Sequence, residues 1–264
     1  MKHRVTAYVD MEFGGICGTG QRMKVPVEAG AVIHNEGNDR VTFAGRTFST
    51  PMDVTVWRNV TDDLGRTVGK DPRTIGPERG EGGEPGMRRV RLDREGRRLA
   101  TTSSRAVHEE LKTFMTGLNG YGISTIVFFA AGYELAALRE ARVNLAGFIV
   151  RDLQAEIRVR YTEKNVLSLD RLSVITGFGE EDGHFVSRHF RYPVPQAFCD
   201  RMKPHDAVGD AARIFLADRE YACHPEELGA WIGQYLAVCE ERKKNEDEDR
   251  REPAGGHAGT LPGI

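Results

Sequence analysis

The chain has 264 residues, enough for one large domain or two small ones and enough to bury a sizeable core. Its 37 basic and 39 acidic side chains nearly cancel, which excludes a polybasic nucleic-acid binder but not a local basic groove. Four cysteines without C-x-x-C spacing argue against a disulfide framework and against a structural zinc site.

No apolar run is long enough to span a bilayer, and the opening residues enter a strand pattern rather than a signal peptide. A cytoplasmic protein with no membrane partner is the expectation. Alternation at Val5, Ala7 and Val9 predicts a first strand. Runs 25–34 and 41–48, parted by the turn-forming Asn35-Glu36-Gly37-Asn38-Asp39, complete a three-stranded antiparallel meander. Val54, Trp57 and Val60 suggest a short helix over 53–64. Residues 65–99, rich in Gly, Pro and Arg, read as a long loop insertion with a hairpin strand at Val90 and Leu92.

Ser103-Ser104 offer N-cap chemistry for a helix whose stripe is Val107, Leu111, Phe114, Met115 and Leu118. The apolar run 124–131 suits a strand buried on both faces. A helix from Tyr133 to about Val143, a strand over 147–150, a helix over 152–161 and a short helix around Leu169, Leu172 and Ile175 follow. That alternation gives an α/β layered domain. Residues 177–203 read as irregular, and His205-Asp206 opens a helix to about Tyr221. The last helix starts at Pro225. The domain is expected over 1–240, with a charged, Gly-rich disordered tail over 241–264.

Three acidic motifs carry chemistry. Asp10-Met11-Glu12 ends the first strand, and strand alternation puts both carboxylates on one face. Like charges so close call for a cation between them, although a charged strand end is the simpler account of an isolated D-x-E. Glu134 lies where an apolar strand gives way to a helix, the place where α/β sheets build sites. Taken alone, an acidic first-turn residue that complements the helix dipole is the simpler account of it. In His205-Asp-Ala-Val-Gly-Asp210-Ala211, Asp210 shares a helical stripe with Ala207, Ala211 and Ile214. A carboxylate there is costly unless it is paired or metal-bound. Helix capping explains Asp206 well and Asp210 poorly.

The order D-x-E, strand-to-helix acid, H-x-x-x-x-D resembles the DEDDh 3′–5′ exonucleases, such as ribonuclease T and polymerase proofreading subunits. Val27-Glu28-Ala29-Gly30-Ala31-Val32-Ile33 is similar to the family's second strand, and Val150-Arg151-Asp152-Leu153 to a non-catalytic strand end. The resemblance covers about residues 4–220. It implies a ribonuclease-H-like α/β fold, a mixed β-sheet flanked by helices. It implies that Asp10, Glu12, Glu134 and Asp210 hold two Mg²⁺ or Mn²⁺ ions, with His205 as general base. The family usually has Asp where this chain has Glu134, and Asp152 is the fallback ligand.

The implied partner is a single-stranded 3′ end of DNA or RNA, and the implied product a 5′-nucleoside monophosphate. Homodimers occur among such relatives. Met11, Phe13, Gly14 and Gly15 would meet the terminal nucleotide. Arg201 and Lys203 would supply positive charge, with Arg188 and Arg191, interleaved with Phe190 and Tyr192, as further candidates for binding a single strand. The arginines at 88, 89, 91, 94, 97 and 98 could also reach a phosphate backbone. A pseudo-nuclease that binds nucleic acid without cleaving it is the competing reading. Cys223-His224 reads as a helix boundary.

Overall fold

Alternation along the first strand decides the architecture. In the computed structural model, which describes residues 4–19, 23–76, 92–162 and 166–249, strand β1 runs Val5–Ile16. Ala7, Val9 and Met11 enter one apolar core, whereas Tyr8 enters another on the opposite face. Asp10 and Glu12 continue the Tyr8 face. β2 (Lys24–Asn35) and β3 (Arg40–Thr47) complete the expected antiparallel meander.

The pattern at 53–64 yields a strand, not a helix. β4 (Val54–Thr61) and β5 (Thr67–Ile75) form an antiparallel hairpin where a helix and a loop were expected. Val54 and Val56 are buried at spacing two, and β-branched side chains suit a pleated surface. The hairpin joins the main sheet through Gly14–Ile16 of β1. A Cβ at Gly14 would overlap the Val54 side chain, so this junction requires glycine.

Helix α1 (Arg94–Leu118) begins nine residues before the expected serine cap, with Asp93 accepting from Gly96 N. Its early turns lack an apolar stripe, and the hydroxyls of Thr101, Thr102 and Ser103 bond carbonyls one turn back. Leu92 precedes the helix as coil, and Val90 lies outside the described residues. β6 (Thr125–Phe128), α2 (Gly132–Glu140), β7 (Ile149–Asp152) and α3 (Leu153–Ile157) follow as expected. β6 runs parallel to β1, and β7 parallel to β6. The sheet is therefore mixed.

α4 (Leu169–Thr176) is followed by a three-stranded antiparallel sheet, β8 (Gly179–Glu181), β9 (His184–Val186) and β10 (Arg191–Pro193), where irregular chain was expected. α5 (Ala207–Cys223) lies over β1 and β2. α6 (Pro225–Asp249) continues well past residue 240. Its charged end is held by ion pairs to the β4–β5 turn, which a tail reading cannot anticipate. Helices α1 and α2 pack on one face of the sheet, and α3 to α6 on the other. No helix among the described residues is long and apolar enough to cross a membrane.

Candidate functional site

α5 approaches the sheet closely because two glycines permit it. Gly30, paired with Asp10 across β1 and β2, has the Ala207 carbonyl and the Val208 nitrogen where a Cβ would stand. Gly209 faces the Arg201 and Lys203 carbonyls in the same way. Asp206 caps the helix by accepting from Val208 N at 3.0 Å. Asp210 is thereby set against the Asp10–Glu12 face of β1.

Glu12, His205 and Asp210 offer ligand atoms that all lie within 4.8 Å of one another. His205 sits at φ +62°, a left-handed conformation that a non-glycine residue adopts only under constraint. Its N–H donates to Asp210 Oδ1 at 3.4 Å. Asp10 adjoins this group. Enclosure by protein and the carboxylates of Asp210, Glu12 and Glu134 push its pKa well above the usual range. Burial, with Asp210 next, raises Glu12 to about 7, and the Arg58 guanidinium opposes that rise. Asp210 is raised by burial and pulled back by Arg213. At Asp10, Glu12 and Asp210, burial and neighbouring carboxylates thus both oppose ionisation.

Glu134 arrives by a strained turn. Ala130 has φ +60°, and the N–H groups of Ala130 and Ala131 donate to Asp152 at 3.1 and 3.0 Å. Glu134 is 7% exposed, and its Oε2 is buried with no hydrogen-bond partner. Burial raises its pKa to about 7. It is not one of the three residues within 4.8 Å, yet it acts electrostatically on Asp10 and Glu12. Asp152, the fallback ligand, is committed elsewhere: it holds the β6–α2 turn and caps α3 through Ala155 N. Of the two acids, only Glu134 keeps a carboxylate oxygen that is buried and without a partner.

One residue the sequence reading did not single out changes the account of Asp210. Arg213, 4% exposed, donates to Asp210 Oδ1, Asp170 Oδ1 and Ser173 Oγ, each at 2.7 Å. Asp210 is thus already paired, and a metal is not required to explain its burial. Among the described residues, no comparable ion pair is made by Asp10, and Glu134 Oε2 has no hydrogen-bond partner. The i,i+3 spacing of Asp210 and Arg213 is the sequence signal for the pair.

The expected substrate contacts divide. Met11 is buried in the α1-side core, because alternation turns it away from the carboxylates. Its side chain does not face the site. Gly14 and Gly15 lie inside the sheet between β2 and β4 rather than in an open loop. Phe13 is half-buried against the same core as Met11, and its ring meets the exposed Tyr133, next to Glu134, at 5.9 Å. Arg201 is taken up by ion pairs with Glu28 and Asp206. Lys203 is exposed.

Arg188 bonds the Ile175 carbonyl and covers Trp231, and Arg191 pairs with Glu181 and Asp182. Tyr192 is buried, with its hydroxyl on Asp39. These side chains thus have partners within the protein. Arg88, Arg89 and Arg91 lie outside the described residues, while Arg94, Arg97 and Arg98 occupy the first turns of α1.

Beside Glu12 opens a cavity of about 340 Å³. Arg58 and Arg73 of the hairpin line it, with Arg201, Lys203, Glu28 and Asp206. The hairpin arginines escaped the sequence reading because they fell in a presumed helix and loop. His224 does gain partners: its ring stacks on His189, and Glu220 and Glu227 bond the pair. Those donors already satisfy one another. No protein-family model matches the chain, and no curated protein matches it.

Proposed function

We propose that the chain is a metal-dependent 3′–5′ exonuclease that removes 5′-nucleoside monophosphates from a nucleic-acid 3′ end. The observation that carries this reading is the convergence of Glu12 and Asp210 on His205, with Asp10 repelled by both carboxylates and Glu134 acting on Asp10 and Glu12 from a third segment. They come from three elements, β1, α2 and α5, and the repulsion between Asp10 and Glu12 has no structural return. The mixed sheet, with β1–β3 antiparallel and β6 and β7 parallel to β1, supports a ribonuclease-H-like fold. A cytoplasmic location goes with this reading.

The residues fit a divalent metal pair. Glu134 Oε2 is a buried carboxylate oxygen without a partner, and all-oxygen donors suit Mg²⁺ or Mn²⁺. Asp10, Glu12, Glu134 and Asp210 would hold the ions. When bound, such ions would supply charge stabilisation for an in-line displacement at phosphorus. His205 takes the proton of the attacking water, a task suited to an imidazole at neutral pH. Arg213 fixes the rotamer of Asp210 through Oδ1. The strained backbone at His205 holds the imidazole over the cluster, so that less reorganisation is needed during the reaction.

The test is stepwise shortening from the 3′ end of matched 5′-labelled DNA and RNA oligonucleotides in Mg²⁺ or Mn²⁺, with EDTA as control. Asp10→Ala should abolish it. Absence of cleavage of either polymer by the wild type overturns the reading.

A pseudo-nuclease is the second reading, favoured by the position of Glu134 outside the closest group. A silent wild type that Glu134→Asp activates would establish it.

A further inference from the structure

We infer that His189, Glu220 and His224, with Glu227 as the fourth donor, form a site for a zinc ion that ties the β9–β10 turn to the junction of α5 and α6. The inference goes beyond the nuclease reading and uses none of the residues assigned there. Among the described residues, two groups bring His, Asp and Glu donor atoms within 4.8 Å of one another, and this one lies apart from the carboxylate cluster. Its members come from separate segments. His189 sits in a turn closed by the Ser187 N–H on the Phe190 carbonyl. Glu220 lies in the last turn of α5. His224 follows that helix directly and bonds its N–H back to the Glu220 carbonyl. A step of four residues turns both side chains to one side of the helix.

Glu220 is fully buried, a costly place for a carboxylate. Ser187 Oγ at 2.7 Å and His189 N at 3.0 Å both bond its Oε1. Its Oε2 then meets His189 Nδ1 at 2.9 Å. A donor atom aimed by hydrogen bonds to its other atoms is how proteins orient metal ligands. The Glu227 oxygens lie 3.3 Å from His189 Nε2 and 3.3 Å from His224 Nδ1. His189 thus stands between two carboxylates with a nitrogen for each, and these contacts, the Glu220 hydrogen bond first, raise its pKa. In the free protein, shared protons satisfy the four side chains. With a proton on His189, two carboxylates and two imidazoles carry one net negative charge. A divalent ion in place of that proton leaves the set neutral.

The neighbouring cations are engaged. Arg188 covers Trp231 and bonds the Ile175 carbonyl, and Arg219 covers Phe190. His189 and Glu227 are exposed, which gives an ion a way in. The two rings are stacked at 3.8 Å and 15°, so coordination by both requires His224 to turn about its side-chain bonds, and its partial exposure permits that. Imidazole nitrogens with carboxylate oxygens suit four-coordinate zinc, whereas oxygen donors suit Mg²⁺ or Mn²⁺.

The test uses the full chain, stripped of metal, and zinc chloride alone, with excess Mg²⁺ present. Glu12→Gln serves as the background, because it takes one donor from the other group. Titration in competition with a zinc-sensitive dye should show one zinc per chain. His224→Phe keeps an aromatic ring against His189 and removes only the donor. It should weaken zinc at least about 100-fold, and Ser187→Ala, which loses the bond that aims Glu220, about tenfold. Glu227→Gln, on an exposed side chain, should weaken zinc about tenfold and serves where His224→Phe does not fold. Cys223→Ser, at the exposed thiol beside His224, should change nothing. Zinc at about a hundred times Kd should raise the melting temperature by about 5–10 °C in the background chain and not in His224→Phe. Calorimetry in buffers of different ionisation enthalpy should show about one proton released per ion. Thermal melts in EDTA establish that each variant folds.

Zinc binding of equal strength in folded His224→Phe, or in Glu227→Gln, overturns the site. So does a chain that takes up no zinc in the Glu12→Gln background. A loss of binding with Cys223→Ser also overturns it, because the ion then belongs to the thiol.

Discussion

Asp10 is strained by its neighbours rather than stabilised by them. Its carboxylate faces three others, and protein enclosure adds to the cost of its charge. Asp10→Asn should therefore abolish hydrolysis and, in EDTA near neutral pH, raise the melting temperature by roughly 2–4 °C, the equivalent of about 1 kcal/mol. A residue kept only for packing would give the opposite thermal result. Glu134 gives the pH dependence. Its folded-state pKa of about 7 lies above the usual 4.5, so the native state holds that proton more tightly. The resulting stability, roughly 3 kcal/mol, is complete below about pH 4.5 and is lost as pH rises through about 7. Glu12 acts in the same direction. Denaturant titrations in EDTA should show stability falling from about pH 5 to about pH 7.5, and Mn²⁺ should restore it at the upper end.

At the scale of elements, two junctions place the carboxylates. The first is the contact of α5 with β2 at Gly30. Gly30→Ala would set a methyl against the Ala207 carbonyl, and backbone cannot yield as a side chain can. A loss of at least about 2 kcal/mol is expected, with activity falling as Asp210 moves off Asp10. Denaturation midpoints and hydrolysis rates, measured together, check both. The second junction is the β6–α2 turn, held by Asp152 through two backbone N–H groups, while a third, Ala155 N, ties the same carboxylate to α3. Asp152→Ala should cost roughly 2 kcal/mol and reduce hydrolysis by displacing Glu134, whereas Asp152→Asn keeps an acceptor and part of both. Full activity in Asp152→Ala would show that Glu134 is not positioned by this turn.

Across the whole molecule, the hairpin and the end of α6 support each other over a sequence separation of 179 residues. Exposed ion pairs of this kind contribute little stability, about 0–1 kcal/mol each. Their effect is expected in geometry. Arg242→Glu should leave the melting temperature within a few degrees of wild type yet raise KM several-fold, and Asp63→Lys in the same chain should restore it. High salt should reproduce the single variant's defect. If KM is indifferent to both variants, the clamp does not shape the cavity beside Glu12.

The meander, the β6–α2–β7 alternation and the α5 cap were legible because each follows from local periodicity and short-range hydrogen bonding. Asp10, Glu12 and Asp210 were legible as a motif, since strand alternation and helix spacing place them on defined faces. The hairpin was not: Val54, Trp57 and Val60 follow a helical spacing, whereas the strand buries Val54 and Val56, and only pairing with β1 decides between them. Nor was the end of α6, whose charged turns gain their partners from residues 62–66. Arg213 could be seen at i+3 from Asp210, but its bonds to Asp170 and Ser173 depend on how α4 packs on α5. The sequence by itself determined which faces carry carboxylates. Tertiary structure decided which are neutralised and which are left facing one another, because charge balance depends on distances that only the packed chain sets.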